Sequence, residues 1–366
     1  MKPNLPVPDP TVSHCFVIVG LGAIGTLFAA HLSQSHDCCA LMLSSGSGSD
    51  RNANPGIASR RLIQRDSAIL LEMPIFRTLN ELTRSLKPCG RRHYWVLLTC
   101  KAPVAKRLLP SLLAQLRTLI LEDETCEATL VIMQNGLQTH TLAKTSFANV
   151  FPKTARARVS LLAASTTEAA RREGSEHTTV HHSATGDTAI GHLDESRPPA
   201  TATDAGGLSG LLNACGLNAR PVGTIEGILW NKLALNAIVN PLTALLRCTN
   251  GELPVQSDYR RLAPRLASEV LGAWQHWAGQ VDAGSTAALP DSVAALLERV
   301  EEICERTAAN RSSMLQDVLA GRSTEIDAIN GYIIEYCEHH ALPCEANREL
   351  VSEVRALTEC LINTSN

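Results

Sequence analysis

The chain lacks the features that would point to a membrane or to a nucleic acid. No apolar run reaches the ~18–20 residues that a membrane-spanning helix needs. The formal net charge is only −3 over 366 residues, which gives no electrostatic case for binding nucleic acid or an anionic membrane. Residues 1–14 are proline-rich and polar and contain no apolar core. We therefore expect them to form a short disordered extension rather than a secretory signal.

The twelve cysteines lack the spacing of a zinc site or of a redox pair. They are scattered, contain no C-x-x-C pair, and stand mostly in apolar surroundings, where a reduced cysteine behaves as a small hydrophobe. We expect free thiols in a reducing cytoplasm. His181, His182 and His192 stand in a polar stretch without spaced carboxylates, so we expect no metal site.

Short apolar runs alternate with helical patterns in the first half of the chain. The β-rich runs cover residues 14–19, 39–43, 94–99 and 129–133. This alternation predicts an α/β fold with a Rossmann-type, doubly wound parallel sheet in residues 15–222. Polar residues dominate from 175 to 207, and we interpret residues 192–207 in particular as a surface loop or insertion. Helical patterns alone follow, so residues 223–366 are predicted to form an all-helical domain.

A glycine-rich turn follows the first predicted strand and precedes a predicted helix. It is formed by Gly20, Leu21, Gly22, Ala23, Ile24 and Gly25. In this pattern the first glycine allows a tight bend and the second lets main-chain N–H groups approach a pyrophosphate. The third lets the helix pack closely on the strand. The turn therefore predicts a dinucleotide-binding site.

The end of the second predicted strand lacks the acid that would hold the ribose hydroxyls of NAD. Residues 41–46 contain no carboxylate. The 2′-phosphate of NADP would not be repelled there, and the hydroxyl of Ser44 with Arg51, Arg60 or Arg61 is able to bind it. Each of these arginines is equally typical of solvated loop charge. We expect NADP(H) as the cofactor.

A mostly apolar helical stretch carries Lys232, Asn236 and Asn240 at intervals of four residues. On an α-helix this spacing places the three side chains on one side. Buried polar groups without partners are costly, and a small polar ligand would supply the partners. The alternative is a lysine whose ammonium extends to the surface.

With these residues in view, the chain resembles the ketopantoate reductases, the NADPH-dependent 2-dehydropantoate 2-reductases of pantothenate and coenzyme A synthesis. The resemblance runs from about residue 15 to the C-terminal helices. It rests on the glycine turn and on residues 99–102 (TCKA), 134–136 (QNG), 168–174 (EAARREG), 229–245, 310–317 (NRSSMLQD) and 324–331 (TEIDAING).

The resemblance implies roles for individual residues. Lys232 matches the family's catalytic lysine, which donates a proton to the keto oxygen, and Glu325 matches an active-site glutamate near cofactor and substrate. Further substrate contacts correspond to Asn135, Asn236, Asn240, Asn250, Ser313, Met314, Leu315 and Gln316. Further cofactor contacts correspond to Lys101, Asn135 and Ala170. Ser44 stands where the family often carries an arginine for the 2′-phosphate. The N-terminal extension and residues 201–207 are additional.

The reduction of a 2-keto acid needs a fixed nicotinamide, a bound carboxylate and a proton donor at the ketone oxygen. An ammonium at Lys232 meets the last need. Simpler readings exist for the other residues. Ser313 and Gln316 fit a capping box, Glu325 fits a charge at a helix start, and Asn135 fits a plain turn.

We interpret the chain as an NADPH-dependent reductase of 2-dehydropantoate. Two alternatives stay open: a reductase of another branched keto acid, and an NADPH-binding regulator without catalysis. The retention of Lys232 beside two asparagines favours an enzyme. The expected partner is a small keto acid, with no nucleic acid and no membrane, in a monomer or a homodimer.

Overall fold

The computed structural model describes residues 12–41, 56–64, 67–86, 91–152, 157–173, 178–193, 203–281 and 290–364. The chain divides into two compact units. The first contains the described residues of Met1–Gln134 and Thr139–Ile225, and the second contains those of Asn135–Gln138 and Glu226–Asn366. The short segment Asn135–Gln138 groups with the helical unit, which the sequence did not indicate.

The first unit is built on an eleven-stranded sheet. Its strands are β1 (Val12–Val19), β2 (Asp37–Leu41), β3 (Ile57–Gln64), β4 (Ser67–Phe76), β5 (Arg91–Leu98), β6 (Cys126–Ile132), β7 (Val159–Thr166), β8 (Ala169–Glu173), β9 (Thr179–Ala184), β10 (Asp187–His192) and β11 (Asn218–Pro221). Their spatial order is β11-β10-β7-β6-β5-β1-β2-β4-β3-β9-β8.

The centre of this sheet, from β7 to β4, is parallel throughout, which confirms the predicted doubly wound core. Antiparallel pairs extend it on both sides: β7 with β10, β3 with β4, and β8 with β9. The sheet is therefore mixed rather than wholly parallel. Strands β9 and β10 lie in the polar stretch at residues 175–207, for which the sequence predicted no strand. Strand β9 is only partly buried and carries polar residues that mask a strand pattern.

The predicted disordered extension ends too late. β1 begins at Val12, and its register pairs Val12, Ser13 and His14 with residues of β5. The ladder of main-chain hydrogen bonds along β5 orders these three residues. Residues 1–11 of the predicted extension and residue Ser44 lie outside the described residues.

Helices of the first unit pack on the sheet through apolar side chains. They are α1 (Ala23–Leu32), α2 (Leu79–Ser85), α3 (Ala102–Glu122), α4 (Gln138–Val150) and α5 (Thr203–Ala214). Phe16 and Ile18 of β1 share one buried cluster with Phe28 of α1 and with Leu208 and Leu211 of α5. Period-two alternation along β1 directs these two side chains to the face that α1 and α5 cover.

The second unit is helical, as predicted. It contains α6 (Glu226–Leu246), α7 (Ser257–Ala278), α8 (Val293–Arg306), α9 (Ser313–Leu319), α10 (Ile326–His339) and α11 (Glu345–Thr364). Its core includes Trp230 of α6, which is 1% exposed and lies 5.5 Å from Tyr336 and 6.1 Å from Trp274 between ring centroids. Among the described residues no helix is long and apolar enough to cross a membrane.

Candidate active site

The glycine turn has the geometry that its pattern predicts. Gly20 has a φ of +111°, and a Cβ there would lie 2.5 Å from the backbone N of Cys100. A Cβ on Gly25 would lie 2.0 Å from the carbonyl oxygen of Gly20 and 2.6 Å from Thr99 Oγ1. A Cβ on Gly22 would meet no atom within 4 Å. Two glycines are thus required by packing, and the third leaves open space at the start of α1.

The start of α1 presents main-chain N–H groups to that space. Gly22 is the N-cap, makes no side-chain cap hydrogen bond, and no acidic residue stands in the first turn. A helix start of this kind favours an anion, because its free N–H groups and the helix dipole both attract negative charge. The half-buried residues Leu21, Ala23 and Ile24 complete the predicted turn.

Two polar side chains, to which the sequence analysis gave no role, tie the loops after β1, β5 and β6 together. Thr99 Oγ1 donates to the carbonyl oxygen of Gly20 at 2.6 Å. Gln134 Nε2 donates to the carbonyl oxygens of Leu98 and Cys100 at 2.7 and 3.0 Å. Both residues stand in the blocks that carry the family resemblance, and this was the only available signal.

The other predicted cofactor residues of the first unit occupy separate elements. Lys101 is half-buried and is the N-cap residue of α3. Ala170 lies on β8, opposite His182 of β9. Arg60 and Arg61 lie on β3, half-buried and exposed respectively, and neither forms an ion pair with a described carboxylate.

The second unit brings Lys232 and Glu325 together. Lys232 lies on α6 and is half-buried, and Glu325 is the N-cap residue of α10. Burial lowers the pKa of Lys232 from 10.5 to about 8, and the negative charge of Glu325 partly opposes this shift. The lysine is therefore poised to exchange a proton close to neutral pH.

Asn135 joins this pair from a distant part of the sequence. Its Nδ2 donates to Glu325 Oε2 at 3.1 Å. The neighbouring Gly136 has a φ of +78°, and a Cβ there would lie 2.0 Å from the carbonyl oxygen of Ala328 on α10. Close packing of Gly136 on α10 thus carries Asn135 to the carboxylate, and Asn135 does more than form the plain turn that the sequence also allowed.

Two carboxamides on α6 follow Lys232 at successive turns. Asn236 is half-buried and Asn240 is 7% exposed. Neither side-chain amide makes a hydrogen bond to any residue that the structure describes. Asn250 is also buried. Its Nδ2 donates to Thr307 Oγ1 at 2.8 Å, while its Oδ1 has no acceptor role within the described part of the chain. These amides are available to a small polar ligand.

The predicted capping box at Ser313 is wrong by one residue. Ser312 is the N-cap of α9, and its Oγ accepts from the backbone N of Leu315 at 3.1 Å and from Thr243 Oγ1 at 2.7 Å. Ser313 is the first helical residue and is exposed. Gln316 does not reach back to the cap: its Nε2 donates to the carbonyl oxygen of Arg311 at 2.9 Å.

Met314 and Leu315 differ from the rest of their segment because both side chains are core residues, 2% and 1% exposed. Any contact that they make with a ligand would run through the main chain.

Neither Ser323 nor Thr324 is the N-cap of α10, because Glu325 occupies that position without a side-chain cap bond.

No cluster of histidine, cysteine or acidic residues able to hold a metal occurs among the described residues. His182 has a carboxylate partner that the sequence spacing did not reveal. Its Nε2 lies 2.7 Å from Oε2 of Glu168, whose side chain is 1% exposed. Every cysteine in the described ranges is a free thiol.

Comparison with known proteins assigns both units. The family model "Ketopantoate reductase PanE/ApbA" matches residues 16–195, and "Ketopantoate reductase PanE/ApbA C terminal" matches residues 224–358. The 2-dehydropantoate 2-reductase of Vibrio cholerae is 29% identical over 344 residues, which cover 94% of this chain and 97% of that protein.

Solved structures share the fold. D-mandelate dehydrogenase in a ternary structure with NADH and anilino(oxo)acetate superposes with a TM-score of 0.68 at 18% identity, covering 94% of this chain and 99% of that one. The dimeric ketopantoate reductase of Staphylococcus aureus gives a TM-score of 0.65 at 17% identity, covering 95% and 99%. With both family models matched in order along its two units, the chain belongs to the ketopantoate reductase family.

Proposed function

We propose that this protein reduces 2-dehydropantoate to (R)-pantoate with NADPH, and that Lys232 donates the proton. The observation that carries the proposal is the grouping of Lys232, Glu325 and Asn135 in one unit, with the lysine pKa lowered to about 8. Family membership supplies the reaction class, and the open amides of Asn236 and Asn240 supply the polar contacts that a keto acid needs.

The first unit suits a dinucleotide. The open space at Gly22 and the acid-free start of α1 fit a pyrophosphate. We assign the remaining cofactor contacts to Lys101, Asn135, Ala170 and Glu325. When bound, the reduced cofactor supplies the hydride. We assign the 2′-phosphate to Ser44, because no acid follows Leu41 at the end of β2 to repel it.

Lys232 performs the proton chemistry. Hydride addition to a ketone places negative charge on its oxygen, and an ammonium nearby stabilises that charge and then protonates it. A pKa near 8 leaves most of the lysine protonated at neutral pH while making it a stronger acid than a solvated lysine. Glu325 limits the fall of the pKa, and its bond from Asn135 Nδ2 fixes the carboxylate.

The substrate contacts follow from the amides and the adjacent segment. Asn236 and Asn240 face the same side of α6 as Lys232, so their amides bind the hydroxyl and carboxylate oxygens of the keto acid. The exposed hydroxyl of Ser313 and the half-buried amide of Gln316 also bind the carboxylate of the keto acid. Met314 and Leu315 contact it through their main-chain atoms. Asn250 offers the Oδ1 that lacks a described partner.

A steady-state assay tests this proposal. Purified protein is mixed with NADPH and 2-dehydropantoate, and the loss of the near-ultraviolet absorbance of the reduced nicotinamide is followed. NADH and pyruvate are run in parallel. We expect rapid loss only with NADPH and 2-dehydropantoate together. Turnover only with other keto acids, or tight NADPH binding without turnover, would refute the assigned reaction.

Two variants test the lysine. Lys232→Ala should lower kcat on the order of 100-fold or more, because the developing charge loses its proton donor. Lys106→Ala removes an exposed lysine of α3 and should leave kcat unchanged. A Lys232→Ala protein with near-normal kcat would exclude Lys232 as the proton donor.

We further propose that the enzyme works in the cytoplasm, in keeping with its free thiols.

A further inference from the structure

A proline interrupts the helix that carries the proposed substrate contacts. Pro241 lies inside α6, directly after Asn240. Proline has no N–H, so the carbonyl oxygen four residues earlier, that of Ala237, loses its intrahelical donor. Ala237 is fully buried, with 0% exposure, so water does not replace that donor. This carbonyl, which has lost its donor within the helix, lies in the turn between Asn236 and Asn240.

A side chain from another helix supplies the missing hydrogen bond. Asn330 of α10 is 0% exposed, and its Nδ2 donates to the carbonyl oxygen of Ala237 at 2.8 Å. The same Nδ2 donates to Asn347 Oδ1 at 3.0 Å. Asn347 Nδ2 in turn donates to Glu269 Oε2 at 2.7 Å. A chain of polar groups from three helices, in which Asn330 and Asn347 are buried and Glu269 is half-buried, thus ends on the carbonyl of α6 that the proline leaves without a donor.

Asn330 is not the choice that stability alone would favour. Its Oδ1 is buried and has no hydrogen-bond partner among the described residues. A buried acceptor without a donor is unfavourable. What the residue contributes is a pair of N–H donors, one of which reaches Ala237.

The other side of the proline is anchored separately. Thr243 Oγ1 donates to Ser312 Oγ at 2.7 Å, and Ser312 Oγ, at the N-cap of α9, donates to the carbonyl oxygen of Asn240 at 3.5 Å. The turn that bears Asn240 is therefore held from α9, and the turn that bears Asn236 is held from α10. Within the described ranges of the chain, Asn330 is the side chain that donates to the carbonyl oxygen of Ala237.

We propose that Asn330 is a positioning residue, which replaces the hydrogen bond that Pro241 denies to Ala237 and so holds Asn236 and Asn240 in register for the keto acid. This inference rests on the proposed function of α6. Asn330 acts through the α6 backbone and needs no contact with the substrate.

A double-mutant cycle between positions 330 and 241 tests the inference. Asn330→Ala should raise the KM for 2-dehydropantoate about tenfold and leave the KM for NADPH unchanged. Pro241→Ala returns an N–H to position 241, so Ala237 regains an intrahelical donor. In that background Asn330→Ala should raise the KM by no more than about twofold. Equal rises in both backgrounds, or no rise in either, would overturn the inference.

Two further variants separate positioning from loss of stability. Asn330→Leu keeps the core volume and removes the donors, so it replaces Asn330→Ala if that protein does not fold, with the same expected KM. Val300 lies on α8 and is fully buried, so Val300→Ala creates a small cavity in the core of the helical unit. This variant should lower the Tm without changing the KM for either substrate. A tenfold KM rise in Val300→Ala would attribute the effect to destabilisation and sink the inference.

A failure of the positioning role of Asn330 can be distinguished from a failure of the proposed reductase function. If the unmodified protein does not reduce 2-dehydropantoate, the proposed function is wrong. The four proteins of the cycle are then compared by Tm. A loss of Tm on Asn330→Ala that becomes smaller in the Pro241→Ala background supports the hydrogen-bond replacement, and an equal loss in both backgrounds rejects it.

Discussion

Raising the pH through about 8 should remove the proton that Lys232 donates and should stop turnover. The perturbation needs no mutation, because burial of Lys232 lowers its pKa from 10.5 to about 8. The amine loses its proton at the higher pH, and a neutral amine neither stabilises the alkoxide nor protonates it. Activity that depends on the ammonium is therefore present below this pKa and lost above it.

The size of the effect follows from that pKa. At pH 7 the ammonium outnumbers the amine roughly tenfold, and at pH 9 the ratio is reversed. Above pH 8 the value of kcat/KM should therefore fall about tenfold for each further pH unit. A solvated lysine with a pKa near 10.5 would keep the profile flat across the same range.

Removing the carboxylate of Glu325 should shift the pKa of Lys232 a second time, in a direction that its charge determines. Its negative charge raises the pKa of Lys232 against the stronger effect of burial. Glu325→Gln removes the charge and keeps the shape, so the midpoint of the profile should move below 8. Glu335→Gln is the matched control, because Glu335 also lies on α10 and also accepts a hydrogen bond from the segment Asn135–Gln138, through Gln138 Nε2 at 3.2 Å.

The assay measures kcat/KM for 2-dehydropantoate in overlapping buffers from about pH 6 to about pH 10, at saturating NADPH. Thermal unfolding at each pH excludes loss of the folded protein. The reasoning is refuted if the profile stays flat up to pH 10. It is equally refuted if Glu325→Gln moves the midpoint upward, or if Glu335→Gln moves it as far as Glu325→Gln does.

Four further predictions concern single residues. Gly25→Ala should weaken NADPH binding at least about tenfold and lower the Tm, because its Cβ would lie 2.0 Å from the carbonyl oxygen of Gly20. Gly207→Ala on α5 meets no atom within 4 Å and should stabilise the protein by about 1 kcal/mol in urea unfolding. Asn240→Ala should raise the KM for the keto acid and leave NADPH affinity unchanged by titration; the reverse pattern would contradict its role. Ser44→Arg should lower the KM for NADPH but not for NADH, and an unchanged value would place the 2′-phosphate elsewhere.

Secondary structure with a strong local pattern was predictable. The helical second unit was predicted as a whole, because an apolar stripe at helical spacing is a local property of the sequence. The buried strands β1, β5 and β6 were predicted because each contains a short apolar run, which is also a local property of the sequence. The hairpins of β3 with β4 and of β8 with β9 were not predicted, since half-exposed strands alternate weakly and obtain their order from pairing with neighbours.

The site was predicted unevenly. The spacing of Lys232, Asn236 and Asn240 was sufficient to place them on one side of a helix. The cap at Ser312 was assigned one residue too late, because two adjacent serines fit the same local rule. Thr99, Gln134 and Asn330 received no role, because each donates to a main-chain carbonyl of another element and no pattern encodes such a partner.

The amino-acid sequence alone determined the family motifs, the glycine turn and the polar side of α6, since each depends on residues a few positions apart. Tertiary structure decided that Asn135 meets Glu325, which stands 190 positions later in the chain. It also decided that Lys232 is buried enough to release its proton near pH 8. Desolvation and long-range hydrogen bonds depend on which segments pack together, and packing exists only once the chain has folded.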